Sequence, residues 1–307
     1  MSARAWKTIA WNGARFAVPG DWDPARVGRR HLLLESAPGP VMEVKWAAVP
    51  GRFSAGRHLR KLARQVGRNG GVFRETALPA LWRPCVAGFD ATGFQWDAGA
   101  ERAAGVLLYC PTCRTASMIQ FLERPGADII IATAARVLAS FRDHRSDGRI
   151  AWALYDVAAN LPDRFVLDRC RFEAGRFVLE FKGPGRRLTL YRWAPADVLL
   201  QNRSLAEFAQ TAAGGNGLVF RSSTVAGHPA VDGTDPMPAG CAGRWRVRLG
   251  LARFRRLRLW RMAGRNRILG VRLESRRPIE DPEIQVVSDA YGMADKGPCD
   301  TAGTDPP

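Results

Sequence analysis

The chain contains no long apolar run, and this absence excludes whole classes of protein. No segment approaches the roughly 18 uninterrupted apolar residues of a membrane-spanning helix. Arg4 and Lys7 are not followed by the stretch of about seven or more apolar residues that a secretory signal needs. Six cysteines among 307 residues do not make a disulfide framework. We therefore expect a reduced, cytoplasmic protein.

The common catalytic signatures are also missing. The sequence has no P-loop, dinucleotide-binding fingerprint, nucleophile elbow or metalloprotease helix. Asp21 with Asp23, and Asp232 with Asp235, have the spacing of turn residues. No cofactor is predicted, and a non-enzymatic role is favoured without an enzyme being excluded.

Lysine is scarce, although the chain is strongly basic. Only five of the 46 basic residues are lysine, and the formal net charge is +17. A GC-rich genome would also encode arginine in place of lysine. The total charge therefore does not identify a ligand. The distribution of arginine along the chain is more informative.

An internal repeat is the feature that does stand out. A Val-Pro pair followed by Trp at 18–22 recurs as Leu-Pro followed by Phe at 161–165. The aromatic-ended strand 107–109 recurs at 258–260. The offset grows smoothly from about 143 to about 151 residues, as a duplication with small loop insertions would produce. We predict a first domain at 1–146, a second at 147–292 and a flexible tail at 293–307.

Each half is predicted to contain strands, a helix, more strands and a closing helix. In the first half, strands are predicted at 7–18, 31–35, 41–49, around Phe94 and at 106–122, with helices from Ser54 to Gly67 and at 130–141. In the second half, strands are predicted around Ala230, at 243–251 and at 254–273, with helices opened by a capping box at 204–207 and covering 282–291. Hairpin-like spacing favours antiparallel pairing. The predicted fold is α+β, with two tandem repeats of an antiparallel-sheet α/β/α sandwich.

This order resembles the Mog1/PsbP/DcrB-like α/β/α sandwich. The resemblance rests on the Pro-aromatic segment after the first strand, the capped helix Ser-Leu-Ala-Glu-Phe-Ala at 204–209, the strand meander and the closing helix. It covers residues 8–142 and 150–292. The resemblance implies an accessory, assembly or binding protein and brings no catalytic residues with it, because fold does not fix function.

The sharpest local motif is Cys110-Pro111-Thr112-Cys113. Such a turn can supply two thiolates to zinc or form a redox pair. The other cysteines and the four histidines are isolated in the sequence, and the matching place in the second half, 261–264, has no cysteine. We therefore predict a hairpin turn with two incidental cysteines and no metal site, Cys110 and Cys113 being the only metal-ligand candidates.

The most unusual charge feature is the segment 243–277, with thirteen arginines and a single acid, Glu274. The arginines alternate with large apolar residues, which would place guanidinium groups on one face of a sheet. This Arg band is the predicted anionic-partner site, with Arg244, Arg246, Arg248, Arg256, Arg258 and Arg261 as its binding residues. The alternative is a solvated face whose arginines pair with acids and cover apolar surface.

Three classes of function follow. The leading prediction is a binding or assembly protein whose Arg band engages an acidic partner protein. The second is association with nucleic-acid phosphates through the same band, although no recognised nucleic-acid module accompanies it. The third is an enzyme or small-ligand binder with a pocket at the domain junction. That pocket would use residues such as Tyr109, Trp260, His228 or Cys110. The glycine-rich segment 183–187 is predicted as a hairpin turn, not a phosphate loop.

Overall fold

The computed structural model describes residues 5–123, 131–144, 147–236 and 252–294, together with Trp245, Arg248 and Leu249. The chain divides into two units. The first comprises Met1–Asp147, Ala151–Asp156 and Ala294–Pro307, and the second comprises Gly148–Ile150 and Val157–Met293. Of the predicted tail, Met293 belongs to a strand, and residues 295–307 lie outside the described residues.

The first unit is built mainly from short antiparallel strands. Its strands are β1 (Trp6–Trp11), β2 (Ala14–Pro19), β3 (Asp23–Gly28), β4 (His31–Ser36), β5 (Gly39–Ala48), β6 (Val72–Thr76), β7 (Asp90–Ala98), β8 (Glu101–Cys110), β9 (Thr115–Glu123) and most of β10 (Arg149–Leu154). Its helices are α1 (Ala55–Arg68) and α2 (Ile131–Ser140), with a 3-10 turn at Pro84–Val86. Seven strands form one sheet in the order β3-β4-β5-β9-β8-β7-β6.

Apolar side chains at helical spacing hold α1 on this sheet. Leu59 and Leu62 of α1 are buried against Phe94 of β7 and Leu107 of β8. Trp82 is buried near α2, where its indole N–H donates to the carbonyl of Ile131 at 3.1 Å. The helices thus dock through one apolar stripe each, as amphipathic helices do.

The second unit repeats the arrangement. Its strands are β11 (Val157–Pro162), β12 (Val166–Glu173), β13 (Arg176–Gly183), β14 (Arg186–Trp193), β15 (Val219–Val225), β16 (His228–Thr234), β17 (Phe254–Met262), β18 (Arg267–Ser275) and β19 (Tyr291–Met293). Its helices are α3 (Ala196–Leu199), α4 (Leu205–Ala212) and α5 (Asp281–Asp289), with a 3-10 turn at Ala263–Arg265. The seven-stranded sheet has the order β12-β13-β14-β18-β17-β16-β15, strand for strand the order of the first.

Two local predictions in this unit are confirmed. Ser204 Oγ accepts the backbone N–H of Glu207 at 3.2 Å, and the Glu207 carboxylate accepts the N–H of Ser204 at 2.6 Å, so the predicted capping box opens α4. The segment 183–187 forms the predicted hairpin, because β13 ends at Gly183 and β14 begins at Arg186. Gly185 between them has a φ of 65°, which glycine adopts without a steric penalty.

The predicted α/β/α sandwich is wrong. Among the described residues there are nineteen strands and five α-helices, and the fold is a β-rich one of antiparallel sheets. The outer strands β3 and β12 each expose half of their side chains and bury only one, so they give little apolar signal in the sequence. The strand predicted at 7–18 is instead the β1–β2 hairpin, reversed at Asn12 and Gly13, which have φ values of 45° and 96°.

The prediction of a strand at 243–251 is also wrong for the residues of this segment that the structure describes. The N–H of Leu249 donates to the carbonyl of Trp245 at 2.9 Å, a helical hydrogen bond, and both side chains are exposed. Within the described residues, none of the helices has the length and apolar character needed to span a membrane.

Candidate functional site

The structure describes four of the six residues predicted for the Arg band. Arg244 and Arg246 lie outside the described residues, and Arg248 and Arg261 are exposed. Arg256 and Arg258 are adjacent on one face of β17 and point into a charge network. They are therefore the two band residues whose partners can be named.

Asp232 of β16 is the centre of that network. Its carboxylate accepts two hydrogen bonds from Arg256, at 2.8 and 3.1 Å, and one from Arg258 at 2.5 Å. Asp281 of α5 also contacts Arg256, and Gln285 contacts Arg258. Arg258 is 5% exposed and Asp232 is 9% exposed, so both charges are neutralised inside the protein.

A cavity of about 880 Å³ adjoins this network, but its charges are balanced. Its lining includes three arginines and three aspartates: Arg221, Arg256, Arg258, Asp232, Asp235 and Asp281. Because each basic group has an acidic neighbour, this cavity has no excess of one sign with which to attract an ion.

A second cavity, of about 630 Å³, is strongly basic. We call it the basic cleft, and its lining residues are Lys182, Gly183, Gly185, Arg186, Arg187, Arg253, Arg255, Glu274, Ser275 and Arg276. Six of these ten residues are cationic and one is acidic. Of the six cations, Arg253, Arg255 and Arg276 belong to the arginine-rich segment 243–277, and none of the four described residues of the predicted Arg band is in the lining.

Strand register explains why these cations converge. The β13–β14 hairpin brings Lys182 opposite Arg187, and Arg187 lies opposite Glu274 of β18. On the other side of β18, Glu274 lies opposite Arg255 of β17. Strands β13, β14 and β17 therefore each place a cation near the carboxylate of Glu274 on β18.

Three of the cleft cations already have acidic partners. Lys182 pairs with Asp168 at 2.8 Å, Arg186 with Glu283 at 2.8 Å and Arg255 with Asp235 at 2.8 Å. Hydrogen bonds from Arg255 to Asp235 raise the pKa of this guanidinium above its usual value. These pairs fix the cleft wall in place.

The other three cations remain available to a ligand. Arg187, Arg253 and Arg276 are exposed, and none of them forms an ion pair with any described residue. Glu274, the acidic group of the lining, is engaged by Arg272 at 3.1 Å. The pKa of Asp168 beside the cleft is lowered by the hydrogen bond from Lys182 and by the charges of Lys182, Arg169 and Arg187. The local potential is thus positive.

Cys110 and Cys113 lie in the first unit, in the turn between β8 and β9. The hairpin turn is confirmed, but the cysteines are not isolated: Asp143 and His144 lie beside them. Cys110 Sγ is 3.7 Å from His144 Nδ1, and Cys113 Sγ donates to Asp143 Oδ2 at 3.1 Å. We call these four residues the Cys–Asp–His cluster.

The cluster does not have the properties of a redox pair. Burial, together with the neighbouring Asp143 carboxylate, raises the pKa of the Cys113 thiol to about 12. A reactive redox cysteine needs the opposite shift, toward a thiolate at neutral pH.

The residues predicted for a pocket at the domain junction lie in other surroundings. Tyr109 stacks on Phe53 with ring centroids 4.2 Å apart, and Trp260 is buried edge-on against Tyr291. His228 begins β16. None of the three lines either of the two cavities described above.

Comparisons with known proteins do not place the chain in a family. No protein-family model matches it, and no curated protein matches it. A crystal structure of a protein from Bacteroides thetaiotaomicron VPI-5482 is similar over 76% of this chain and 87% of that chain, with 10% identity and a TM-score of 0.31. A likeness of that size carries no argument, so the resemblance to Mog1/PsbP/DcrB-like proteins stays a prediction.

Proposed function

We propose that this is a non-enzymatic binding protein whose second unit holds a carboxylate-rich segment of an acidic partner protein in the basic cleft. The observation that carries the proposal is the lining of six cations and one carboxylate, with three arginines that pair with no described acid. The proposal keeps an acidic protein as the partner and moves the binding surface from the Arg band to the cleft.

Guanidinium chemistry favours carboxylates as the ligand. Arginine presents paired N–H donors that match the two oxygens of a carboxylate. Arg187, Arg253 and Arg276 offer such forks, while Lys182 adds a flexible point charge. A cavity of about 630 Å³ has the size of a small-ligand pocket and would accept a few acidic side chains.

The lining argues against nucleic acid as the main partner. Proteins that bind single strands combine cations with aromatic side chains on which the bases stack. None of the described residues that line the cleft is aromatic. The phosphate charge would still be attracted, but the bases would find no stacking partner, so an oligonucleotide should bind more weakly than an acidic peptide.

The same lining favours binding over catalysis. Its carboxylate, Glu274, is held by Arg272, and its hydroxyl, Ser275, is held by Arg186. A catalytic nucleophile needs a base within hydrogen-bond reach, and these two groups are engaged by cations instead. The proposal also places the protein in the cytoplasm, where its free thiols would stay reduced.

The test is a fluorescence anisotropy titration of the full chain with a labelled peptide rich in Asp and Glu. A peptide with Asn and Gln at the same positions is the matched control, and a labelled oligothymidylate is the nucleic-acid probe. We expect saturable binding of the acidic peptide that weakens as salt is raised, and no binding of the amide peptide. Tighter binding of oligothymidylate, or no binding of the acidic peptide at low salt, would overturn the proposal.

A further inference from the structure

We propose that the first unit binds a zinc ion through the Cys–Asp–His cluster. The ligands would be the Sγ atoms of Cys110 and Cys113, Nδ1 of His144 and Oδ2 of Asp143. The four residues bring one ligand atom each to within 4.8 Å of one another. This inference concerns a different unit from the basic cleft and does not depend on the proposed function.

The first pair of ligands is presented by a fixed turn. The N–H of Arg114 donates to the carbonyl of Cys110 at 2.9 Å and closes the turn between β8 and β9. The carbonyl of Arg114 accepts the N–H of Val49 at 2.8 Å, which ties the turn to the end of β5. Arg114 itself has a φ of 55°, so the turn doubles back sharply and brings both cysteines to one side.

The second pair comes from the segment that follows α2. Arg142 exchanges two backbone hydrogen bonds with Arg15 of β2, at 2.7 and 2.8 Å, and Phe141 before it is fully buried. Asp143 and His144 are therefore held beside the turn by ordered backbone. The Asp143 side chain is 2% exposed, so its carboxylate is buried facing two thiols and an imidazole.

The donor set and its spacing suit zinc. Two sulfurs, one nitrogen and one carboxylate oxygen are ligands of tetrahedral Zn²⁺, whereas Mg²⁺ and Ca²⁺ select oxygen. Zn–S and Zn–N bonds of about 2.3 and 2.0 Å place tetrahedral ligand atoms roughly 3.3 to 3.8 Å apart. Cys110 Sγ and His144 Nδ1 are 3.7 Å apart, and Cys113 Sγ and Asp143 Oδ2 are 3.1 Å apart. To complete the site, the Cys113–Asp143 contact would lengthen slightly, and any pair of ligand atoms near the 4.8 Å limit would move closer.

Charge supports the same conclusion. Asp143 Oδ1 lies 2.7 Å from His144 Nδ1, so this carboxylate faces the other ligands closely. A buried carboxylate next to two cysteines is costly unless a cation compensates it. A divalent ion bound by two thiolates and one carboxylate would supply that compensation.

The second unit provides an internal control. Its corresponding turn, between β17 and β18, also has four residues and a left-handed last residue, Asn266, with a φ of 50°. Its closing segment pairs with β11 as the first closing segment pairs with β2. At the four corresponding positions of the repeat the sequence has Met262, Arg265, Met293 and Ala294.

The fold therefore builds the same turn and closing segment without these side chains. Four potential ligands occur together in one unit, and all four are replaced in the other. With four protein ligands, the site would be structural and would fasten the turn to the closing segment.

The test is a titration of the reduced, metal-free full chain with Co²⁺, whose absorption reports tetrahedral geometry and thiolate coordination. We expect one equivalent to give ligand-field bands and a thiolate-to-cobalt charge-transfer band, both abolished by Zn²⁺. Cys113→Ser and His144→Ala should each weaken binding by at least about tenfold to hundredfold, because even loss of an outer-shell contact has an effect of that size. Cys170→Ser, a cysteine of the second unit, should bind normally.

A second readout keeps the proposal testable if a variant is poorly folded. Zn²⁺ should raise the melting temperature of the wild-type chain and of Cys170→Ser, because a ligand that binds only the native state stabilises it. A Co²⁺ spectrum without the charge-transfer band would overturn the proposal. So would equal Co²⁺ binding by Cys113→Ser, or a wild-type melting temperature that Zn²⁺ leaves unchanged.

Discussion

Arg187→Glu should weaken binding of the acidic peptide by about tenfold or more. Arg187 is exposed in the basic cleft and pairs with no described acid, so its guanidinium is free to bind a carboxylate. A hydrogen bond between charged groups contributes about 1.5–3 kcal/mol, and a glutamate at this position would also repel the ligand. The cross-strand neighbour Glu274 would add to that repulsion. Anisotropy titrations at fixed salt measure the change.

The matched control for this variant is Arg57→Glu. Arg57 is an exposed arginine on α1 of the first unit, so this substitution changes the net charge by the same amount. Affinity should change little, by less than about twofold at moderate salt, because Arg57 is not among the described residues that line the cleft and salt weakens the attraction between exposed charges. If both variants lost affinity equally, the peptide would be responding to total charge, and the cleft would not be its site.

The second large effect concerns stability. Asp232→Ala should lower the free energy of unfolding by about 3–5 kcal/mol, because it leaves Arg256 and Arg258 without their shared carboxylate. Arg258 is 5% exposed, so its guanidinium charge loses most of its stabilisation with this partner. Denaturant unfolding followed by tryptophan fluorescence measures the loss in the transition of the second unit.

Asp90→Ala is the control for that experiment. Asp90 is exposed on β7, the strand of the first sheet that corresponds to β16, and its removal should change stability by about 0.5 kcal/mol or less. Adding Arg258→Met to Asp232→Ala should recover part of the loss, since the buried charge is then removed together with its partner. A small effect of Asp232→Ala alone would show that solvent reaches these arginines.

Local patterns in the sequence predicted local structure well. The capping box at Ser204 and the hairpin at Gly183–Arg186 depend on residues within a few positions of each other, and both are present. The predicted fold class is wrong because the edge strands β3 and β12 bury only one side chain each and so give little apolar signal. Their pairing is decided by neighbours distant in the chain, which no short window contains.

The candidate sites also depend on residues that are distant in the chain. Alternating arginines in 254–261 correctly indicate a strand, but Asp232, which neutralises Arg256 and Arg258, is more than twenty residues away. The sequence predicts no metal site at the cysteine turn, because no further ligand lies near it in the chain. In the structure, Asp143 and His144, which follow the backbone bridge between Arg15 and Arg142, lie beside the turn. A position-by-position comparison of the two halves shows that the residues at all four ligand positions differ between them.

The scarcity of lysine permits a direct test of where the acidic ligand binds. Lys182 lies in the basic cleft, whereas Lys7, Lys45 and Lys61 lie in the first unit. An acidic peptide in which carbodiimide has activated a small fraction of the carboxylates before mixing keeps the others free to bind, and its activated groups will form amide bonds with lysines close to its binding site. Mass spectrometry of the digested product then identifies the lysine. Attachment at Lys182, reduced in Arg187→Glu, is the predicted result. Attachment mainly at the lysines of the first unit would contradict the basic cleft as the binding site.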